Sequence, residues 1–486
     1  MSQDRASGSS DSLAALEARL ADDLRLLDLP APAWVPPREV DGRRVHDVVV
    51  IGAGMAGLAA SAELRLLGIE HRVYDRAPAG REGPWVTYAR MRTLRSPKQL
   101  AGPALRFAAL TFRAWYEAQF GRAAWDALDK IPRVQWMDYL RWYRRVLALP
   151  VRNDTALTAL RPRADGLLEL ALSSGGQQRV RLARHVVLAT GREALGGPFV
   201  PAVADGIPRT RYAHSSDAID FAALAGRRVA VVGAGASAFD NAATALEAGA
   251  TRVDLLFRRD DIPRINKLTG IGSPGLVHGF ADLDAADRWR FLHHSLSSQT
   301  PPPRDSVLRV SRHPNAFFHA ASPIEALRVE PDGLAVVTPR GSHRVDFLIF
   351  ATGFQTGFRD DGAARPEFAA FAGRIRRWRD RDDFPPGPDH DELADSPDLG
   401  EAYAFREREP GTCPALTRVH CFNHAASLSH GKLSGDIPAI SQGALRLATG
   451  IASALFRADR ERHHDALLAY DKAELLGDEW RDAGGR

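Results

Sequence analysis

Two short apolar runs, each passing straight into a glycine-rich turn and then an alanine-rich stretch, constrain this chain more than any other feature. The first is Asp47-Val48-Val49-Val50-Ile51, followed by Gly52-Ala53-Gly54-Met55-Ala56-Gly57 and an apolar stretch through Leu64. The second, roughly 180 residues later, is Arg228 to Val232, followed by Gly233-Ala234-Gly235-Ala236-Ser237-Ala238. Such runs are typical of buried parallel strands. A strand, glycine turn and helix in succession form a mononucleotide-binding unit, in which helix N–H groups face a pyrophosphate. The duplication predicts an α/β fold with two Rossmann-like dinucleotide-binding domains of the three-layer ββα type. The repeat is far too long for a solenoid.

The two units differ in what they select. In the first, Gly52 permits the tight turn, Gly54 lets the backbone approach a pyrophosphate, and Gly57 lets helix and strand pack closely. The next strand, Glu70 to Tyr74, ends in Asp75, at the distance where a carboxylate takes ribose hydroxyls. This combination reads as a FAD site. In the second unit Gly233, Gly235 and Ser237 repeat the turn, but the following strand, Val253 to Phe257, ends in Arg258-Arg259. A carboxylate there would repel a 2′-phosphate, whereas guanidinium groups bind one, often in bidentate fashion. That points to NADPH. The alternative is a pair of solvated arginines in an arginine-rich chain.

Two further apolar strands, Val186 to Gly191 and Phe347 to Gly353, end in Ala-Thr-Gly, where small residues let a crossing chain approach the nucleotide. Their positions predict that the NADPH domain is inserted in the FAD domain. The expected division is 46–195 for the first part of the FAD domain, 196–345 for the NADPH domain and 346–470 for the second FAD part. Residues 471–486 form a tail. Within 346–470, the charged, proline- and glycine-containing stretch 359–409 reads as a surface excursion over the site. Residues 1–45 form a helical arm and linker. Leu13, Leu16, Leu20, Leu24 and Leu27 make one helical stripe ahead of the stiff Pro30–Pro37 connector, and the stripe packs on the body or serves a partner. An alanine-rich helix from about Ser441 to Phe456 and another around 464–475 close the chain.

At 486 residues, 45% hydrophobic and 26% charged, the composition is that of a globular protein of two domains. The net charge of +4 is spread over intermixed acids and bases, so nucleic-acid binding is not expected. Cys413 and Cys421 are the two cysteines and are not spaced as Cys-x-x-Cys, which removes a dithiol redox centre. The N-terminus carries no signal-peptide pattern and no apolar stretch has the length of a membrane span. A cytoplasmic, soluble protein is expected, with its oligomeric state unread.

With both turns and both Ala-Thr-Gly strands in view, the chain resembles the class B flavin-dependent monooxygenases: flavin-containing, Baeyer–Villiger and N-hydroxylating enzymes. The resemblance covers roughly 46–456. Gly83-Pro84-Trp85 is similar to the family's Gly-x-Trp, Tyr139 to Tyr143 to its Tyr-Leu-x-x-Tyr helix, and His214-Ser215 to the His-Ser of its linker fingerprint. Ile437 to Gln442 resembles the segment lying against the flavin, with Gly435-Asp436 placed to meet the ribityl or pyrophosphate. Pro208, Thr210 and Ala218 depart from the fingerprint, and Leu94 stands where flavin-containing monooxygenases carry an asparagine. These departures set the chain in a diverged bacterial branch.

The resemblance implies that NADPH reduces the flavin and that oxygen adds at flavin C4a. The distal oxygen then passes to nitrogen or sulfur of a small metabolite, or, as the peroxide anion, to a carbonyl. FAD and NADPH are then the cofactors, and a small molecule and molecular oxygen the partners. The cofactor-binding set is Gly52, Gly54, Gly57, Asp75, Trp85, Gly191, Gly233, Gly235, Ser237, Arg258, Arg259, Gly353, Asp436 and Ile437. Candidates near the reacting centre are Arg95, Ser96, Pro97 and Lys98 after the flavin ring, and Asn423, His424, His430 and Lys432 flanking the C-terminal flavin segment, each weighed against a structural hydrogen-bonding role. His214 reads as a hinge, an NADPH contact or a proton carrier. Trp136, Tyr139 and Tyr143, at helical spacing, read as core. No metal is expected, although Asp389 and Asp391 flank His390. The alternatives are an NADPH-dependent reductase or dehydrogenase that inserts no oxygen, and a non-catalytic redox sensor.

Overall fold

The computed structural model describes residues 4–357, 365–384, 391–480 and 483–484. Helix α1 (Asp4–Leu26) leads through the proline connector to β1 (Arg43–Ile51), whose last seven residues are buried. The chain turns at Gly52 into α2 (Met55–Leu66) and returns as β2 (His71–Tyr74). Helices α3 (Phe112–Ala127) and α4 (Arg133–Val146) follow, then β3 (Val151–Arg152), β4 (Ala156–Pro162), β5 (Leu168–Ser174) and β6 (Gln177–Leu188). The strands lie in the order β3-β2-β1-β6-β5-β4. The run from β3 to β6 is parallel, and β4, β5 and β6 form antiparallel hairpins. The end of strand β1, Val48–Ile51, is uniformly apolar because parallel neighbours flank it on both sides, with Val50 opposite Val73 and Val187.

The second sheet comprises β7 (Tyr212–His214), β8 (Arg228–Val232), β9 (Arg252–Leu256), β10 (Ala316–His319) and β14 (Phe347–Phe350), ordered β10-β9-β8-β14-β7 and parallel throughout. Helices α5 (Ala236–Glu247) and α6 (Arg304–Ser311) pack beside it, and a meander of β11 (Ala326–Glu330), β12 (Gly333–Thr338) and β13 (Gly341–Val345) precedes β14. The boundary expected at 345/346 therefore lies too early. The Ala-Thr-Gly strand β14 pairs with β8, Val231 opposite Ile349, and so belongs to the second sheet. The chain crosses back where Phe354–Gln355 pairs with Gly197–Pro198.

The stretch 359–409 is not a surface excursion over its described residues. Phe368, Phe371, Trp378, Tyr403 and Phe405 are buried, and Asp398, also buried, is surrounded by Arg376, Arg381 and Arg406. Ion pairing lets charged sequence enter the interior, which composition alone does not reveal.

The arm packs on its own body. Leu16 and Leu20 are buried, and Glu17 accepts hydrogen bonds from Trp142 Nε1 (2.9 Å) and Arg145. Leu27 is exposed, so the stripe stops at Leu24. Trp136, Tyr139 and Tyr143 are core, Tyr139 donating to the Leu110 carbonyl at 2.6 Å. Helix α7 (Ile440–Ala458) packs against α2. The last helix, α8 (Arg460–Ala469), starts and ends earlier than expected. It buries no residue, so no packing face extends it.

Candidate active site

The first glycine turn separates what the fold needs from what a ligand needs. Gly52 has φ +103°, and a Cβ there would lie 2.4 Å from the Ala189 carbonyl oxygen. A Cβ on Gly57 would lie 1.8 Å from the Gly52 oxygen. Both positions are closed by the protein itself. Gly54 has φ −67°, and the nearest heavy atom to a Cβ is Gly83 Cα at 3.8 Å. Nothing in the protein demands glycine there, while Gly54 is the N-cap of α2 and has no side-chain cap to occupy the helix N–H groups. The cradle fits a pyrophosphate.

Three further features fit the rest of FAD. Asp75 accepts from the backbone N–H of Ala53 (2.6 Å) and Ala77 (2.7 Å), which fixes its carboxylate at the rim of the turn. The indole N–H of Trp85 is buried with no hydrogen-bond partner among the described residues, close to Gly83. A cavity of about 470 Å³ opens beside the turn, lined by Ala53, Gly80, Glu82, Met137 and Arg144 among others.

The second turn repeats the pattern. A Cβ on Gly233 would meet the Ala351 oxygen at 2.7 Å, whereas one on Gly235 would meet nothing closer than Gln299 Nε2 at 3.9 Å. Ser237 lies exposed in the first turn of α5, which again has no side-chain cap. Past β9, Arg259 donates to the Ser297 carbonyl (2.9 Å). Arg258 is exposed and makes no hydrogen bond or ion pair among the described residues. It is the unengaged cation of the pair.

A group of charged side chains collects where the C-terminal flavin segment meets the end of β6. Arg95, Arg192, His424, Lys432 and Asp436 interact electrostatically, and none of their side chains has a hydrogen-bond partner among the described residues. Burial lowers the pKa of Arg95 and Lys432, with the Asp436 carboxylate opposing it. Burial, reinforced by Arg192, pushes His424 down to about 4, so its imidazole is neutral. Three cations and one carboxylate remain, a balance suited to an anionic ligand. Arg192 was missed in the sequence. The signal for it is its place directly after Gly191 of the first Ala-Thr-Gly.

The other candidates are occupied by the fold. Lys98 donates to the carbonyls of Trp125 (2.6 Å), Asp126 (3.3 Å) and Leu128 and so caps the C-terminus of α3. Asn423 donates to the Leu188 carbonyl (3.1 Å) and Thr190 Oγ1 (3.2 Å), tying the C-terminal segment to the end of β6. His430 Nε2 donates to the Gly400 carbonyl (2.9 Å), and its ring lies 4.3 Å from that of Tyr403. His214 Nε2 donates to the Gly353 carbonyl (2.9 Å), while its Nδ1 accepts from the Ser216 N–H (3.1 Å). Burial lowers its pKa, and with both ring nitrogens engaged the imidazole ties the end of β7 to Gly353. Leu94 is buried and lies in the core. Ile437 is buried near Gly102, and Gly191 has φ +63°.

Asp389 and His390 lie outside the described residues. A different group, Asp254, His319 and His343, brings ligand-type atoms within 4.8 Å of one another. Arg252 already pairs with the Asp254 carboxylate through two contacts of 2.8 and 2.9 Å, and His319 meets it at 2.8 Å. From the meander, the His343 ring packs edge-on against that of His319, centroids 4.4 Å apart.

Fold and turns together define a two-nucleotide flavoprotein. The profile of the L-lysine 6-monooxygenase/L-ornithine 5-monooxygenase family matches residues 103–301. A FAD-dependent urate hydroxylase from Xanthomonas campestris pv. campestris is 43% identical over 469 residues, spanning 96% of this chain and 98% of that one. Among solved structures, the reduced ornithine hydroxylase of Pseudomonas aeruginosa superposes with a TM-score of 0.65 at 17% identity, over 85% of this chain and 100% of that one. The Kutzneria sp. 744 ornithine N-hydroxylase, with reduced FAD, NADP⁺ and L-ornithine, gives 0.63 at 19% identity, over 84% and 99%. This chain belongs to the family of the FAD-dependent urate hydroxylase. By that membership it is a FAD-dependent monooxygenase.

Proposed function

We propose that this chain hydroxylates urate, or a closely similar anionic purine, with molecular oxygen as co-substrate. The near full-length similarity to a urate hydroxylase carries the reading. The surplus of cations in the Arg95–Arg192–Lys432 group supports it, because urate is an anion at neutral pH and an amino acid side-chain ammonium would be repelled there. In the balanced reaction one atom of dioxygen bonds to the purine and the other leaves as water. NADPH supplies two electrons, and one further proton is taken up.

Bound FAD supplies the activation of dioxygen, and the protein's part is binding, orientation and exclusion of water. Gly54 and the α2 N-terminus hold the FAD pyrophosphate, and Gly235, Ser237 and Arg258 hold NADPH. Arg95 and Lys432 hold the substrate anion. His424 stays neutral and offers a hydrogen bond without adding charge. The seam between the two sheets is closed by Arg92, which pairs with Glu247 at 2.9 Å, and by Arg90, which donates to the Asp217 carbonyl. The Tyr88, Phe354 and His214 rings stand in a row at 6.3 and 5.4 Å.

The test is NADPH oxidation by the FAD-loaded enzyme with urate, L-ornithine and L-lysine supplied in parallel. Urate-dependent turnover with loss of urate absorbance is expected. Arg95→Met should raise the KM for urate by roughly tenfold or more, the worth of a charge-assisted hydrogen bond. The profile match over 103–301 favours an amine substrate instead. Turnover with ornithine or lysine and none with urate would replace the purine reading.

A further inference from the structure

Residues 467–480 carry apolar side chains that pack on nothing among the described residues. Leu467, Leu468, Tyr470, Leu475, Leu476 and Trp480 are between 66 and 83% exposed, and α8 buries none of its residues. Single exposed leucines are ordinary. Six large apolar side chains within fourteen residues mark an interaction surface. The segment is also ordered locally, since the Glu479 carboxylate accepts from the N–H groups of Leu476 (2.5 Å) and Gly477 (2.9 Å).

A cleft opens where α7 and α8 meet the proline connector. Trp34, Ala452, Ser453, Phe456, Arg457 and His463 line a cavity of about 540 Å³. Its walls are aromatic. Phe456 stacks on His463 at 4.5 Å and 10°, with Trp34 6.5 and 6.0 Å from the two rings. Phe456 itself is half-exposed. Charge complements shape. The segment 470–480 carries Asp471, Glu474, Asp478 and Glu479 against Lys472, while Arg457, Arg460 and Arg462 stand at or beside the cleft. Glu461 pairs with Arg460 and Asp459 with Arg184, and the other two guanidiniums have no carboxylate partner among the described residues.

We propose that residues 467–480 form an arm that docks in the Trp34/Phe456/His463 cleft of a second copy of this chain. The arm leaves α8 one helical turn after His463, so the cleft and its ligand are neighbours on one element. Two copies related by a twofold axis then exchange arms mutually, and the assembly closes as a dimer. The same acidic character disfavours an anionic membrane as the occupant. The dimer contact lies on α7 and α8, apart from both glycine turns, and the inference does not depend on which substrate the enzyme takes.

Sedimentation velocity on the FAD-loaded full chain should show a dimer at micromolar concentration. Leu476→Asp with Trp480→Asp in the arm, and separately Phe456→Asp in the cleft, should each yield monomers that keep their flavin absorbance. Cys413 and Cys421 are both buried, so an engineered pair can be read cleanly. Leu476→Cys with Ser453→Cys should crosslink between chains on oxidation and run as a covalent dimer. A parent chain that stays monomeric would overturn the proposal. So would a crosslink formed within one chain, or a dimer that survives both sets of aspartates.

Discussion

Replacing Gly54 by alanine adds a methyl group where the protein alone has room for it. The backbone there is at φ −67°, which alanine adopts freely, and the nearest atom to the new Cβ is Gly83 Cα at 3.8 Å, an ordinary contact. Removing a glycine from the unfolded chain stabilises by about 0.4–1 kcal/mol, and alanine in place of glycine as an N-cap costs a similar amount. The stability of the flavin-free protein should therefore barely change. A bound pyrophosphate alters the balance, because the methyl group then occupies space the phosphate needs. Overpacking of this kind costs roughly 1–3 kcal/mol, or about a 5- to 150-fold weaker Kd for FAD. Thermal melting of the flavin-free proteins and flavin-fluorescence titration separate the two quantities. Gly57→Ala is the control, since its Cβ would lie 1.8 Å from the Gly52 oxygen and should prevent folding outright. A Gly54→Ala protein that binds FAD with parental Kd would refute the placement of the pyrophosphate.

Arg258→Ala should raise the KM for NADPH about 10- to 150-fold, the loss of charged hydrogen bonds to a 2′-phosphate, and leave that for NADH nearly unchanged. Arg259→Ala should do less, because one guanidinium nitrogen is held by Ser297. Equal effects on the two nucleotides would remove the 2′-phosphate from this site. Burial of Glu63 raises its pKa from 4.5 to about 7, so the folded chain retains a proton that the unfolded chain has lost. The stability Glu63 contributes is complete below about pH 4.5 and declines as pH rises through 7. Glu63→Gln should therefore gain on the parent by about 2 kcal/mol between pH 5.5 and 8 in urea unfolding. A constant difference would show that Glu63 ionises freely. Lys98→Met should lower stability by about 1–2 kcal/mol through the lost cap on α3 while leaving steady-state constants at parental values. A fall in kcat would return Lys98 to the reacting centre.

The nucleotide-binding architecture was legible because its determinants are local. An apolar strand, a glycine turn and a terminal acid or arginine occupy thirty residues, and each carries its own physical reason. Even the difference between Gly57 and Gly54, one packing against the fold and one facing a ligand, follows from position in the turn. What the sequence left open was non-local. Lys98, Asn423 and His430 have the chemistry of site residues, but their partners are carbonyl groups of segments distant in sequence. The stretch 359–409 read as surface because of its charged, proline- and glycine-containing composition. The pairing of its arginines around Asp398, which carries Trp378 and Phe405 inward, cannot be inferred from composition. The strand Phe347–Phe350 was recognised but given to the wrong sheet, since an Ala-Thr-Gly ending fits either nucleotide.

The most direct test of the central claim is to run the reaction under ¹⁸O₂ with the FAD-loaded enzyme, NADPH and urate, and to weigh the product. One ¹⁸O atom in the hydroxylated purine is expected, with one NADPH oxidised for each urate consumed. Oxygen in the product that comes from water, or NADPH oxidation yielding only hydrogen peroxide at every urate concentration, would contradict it.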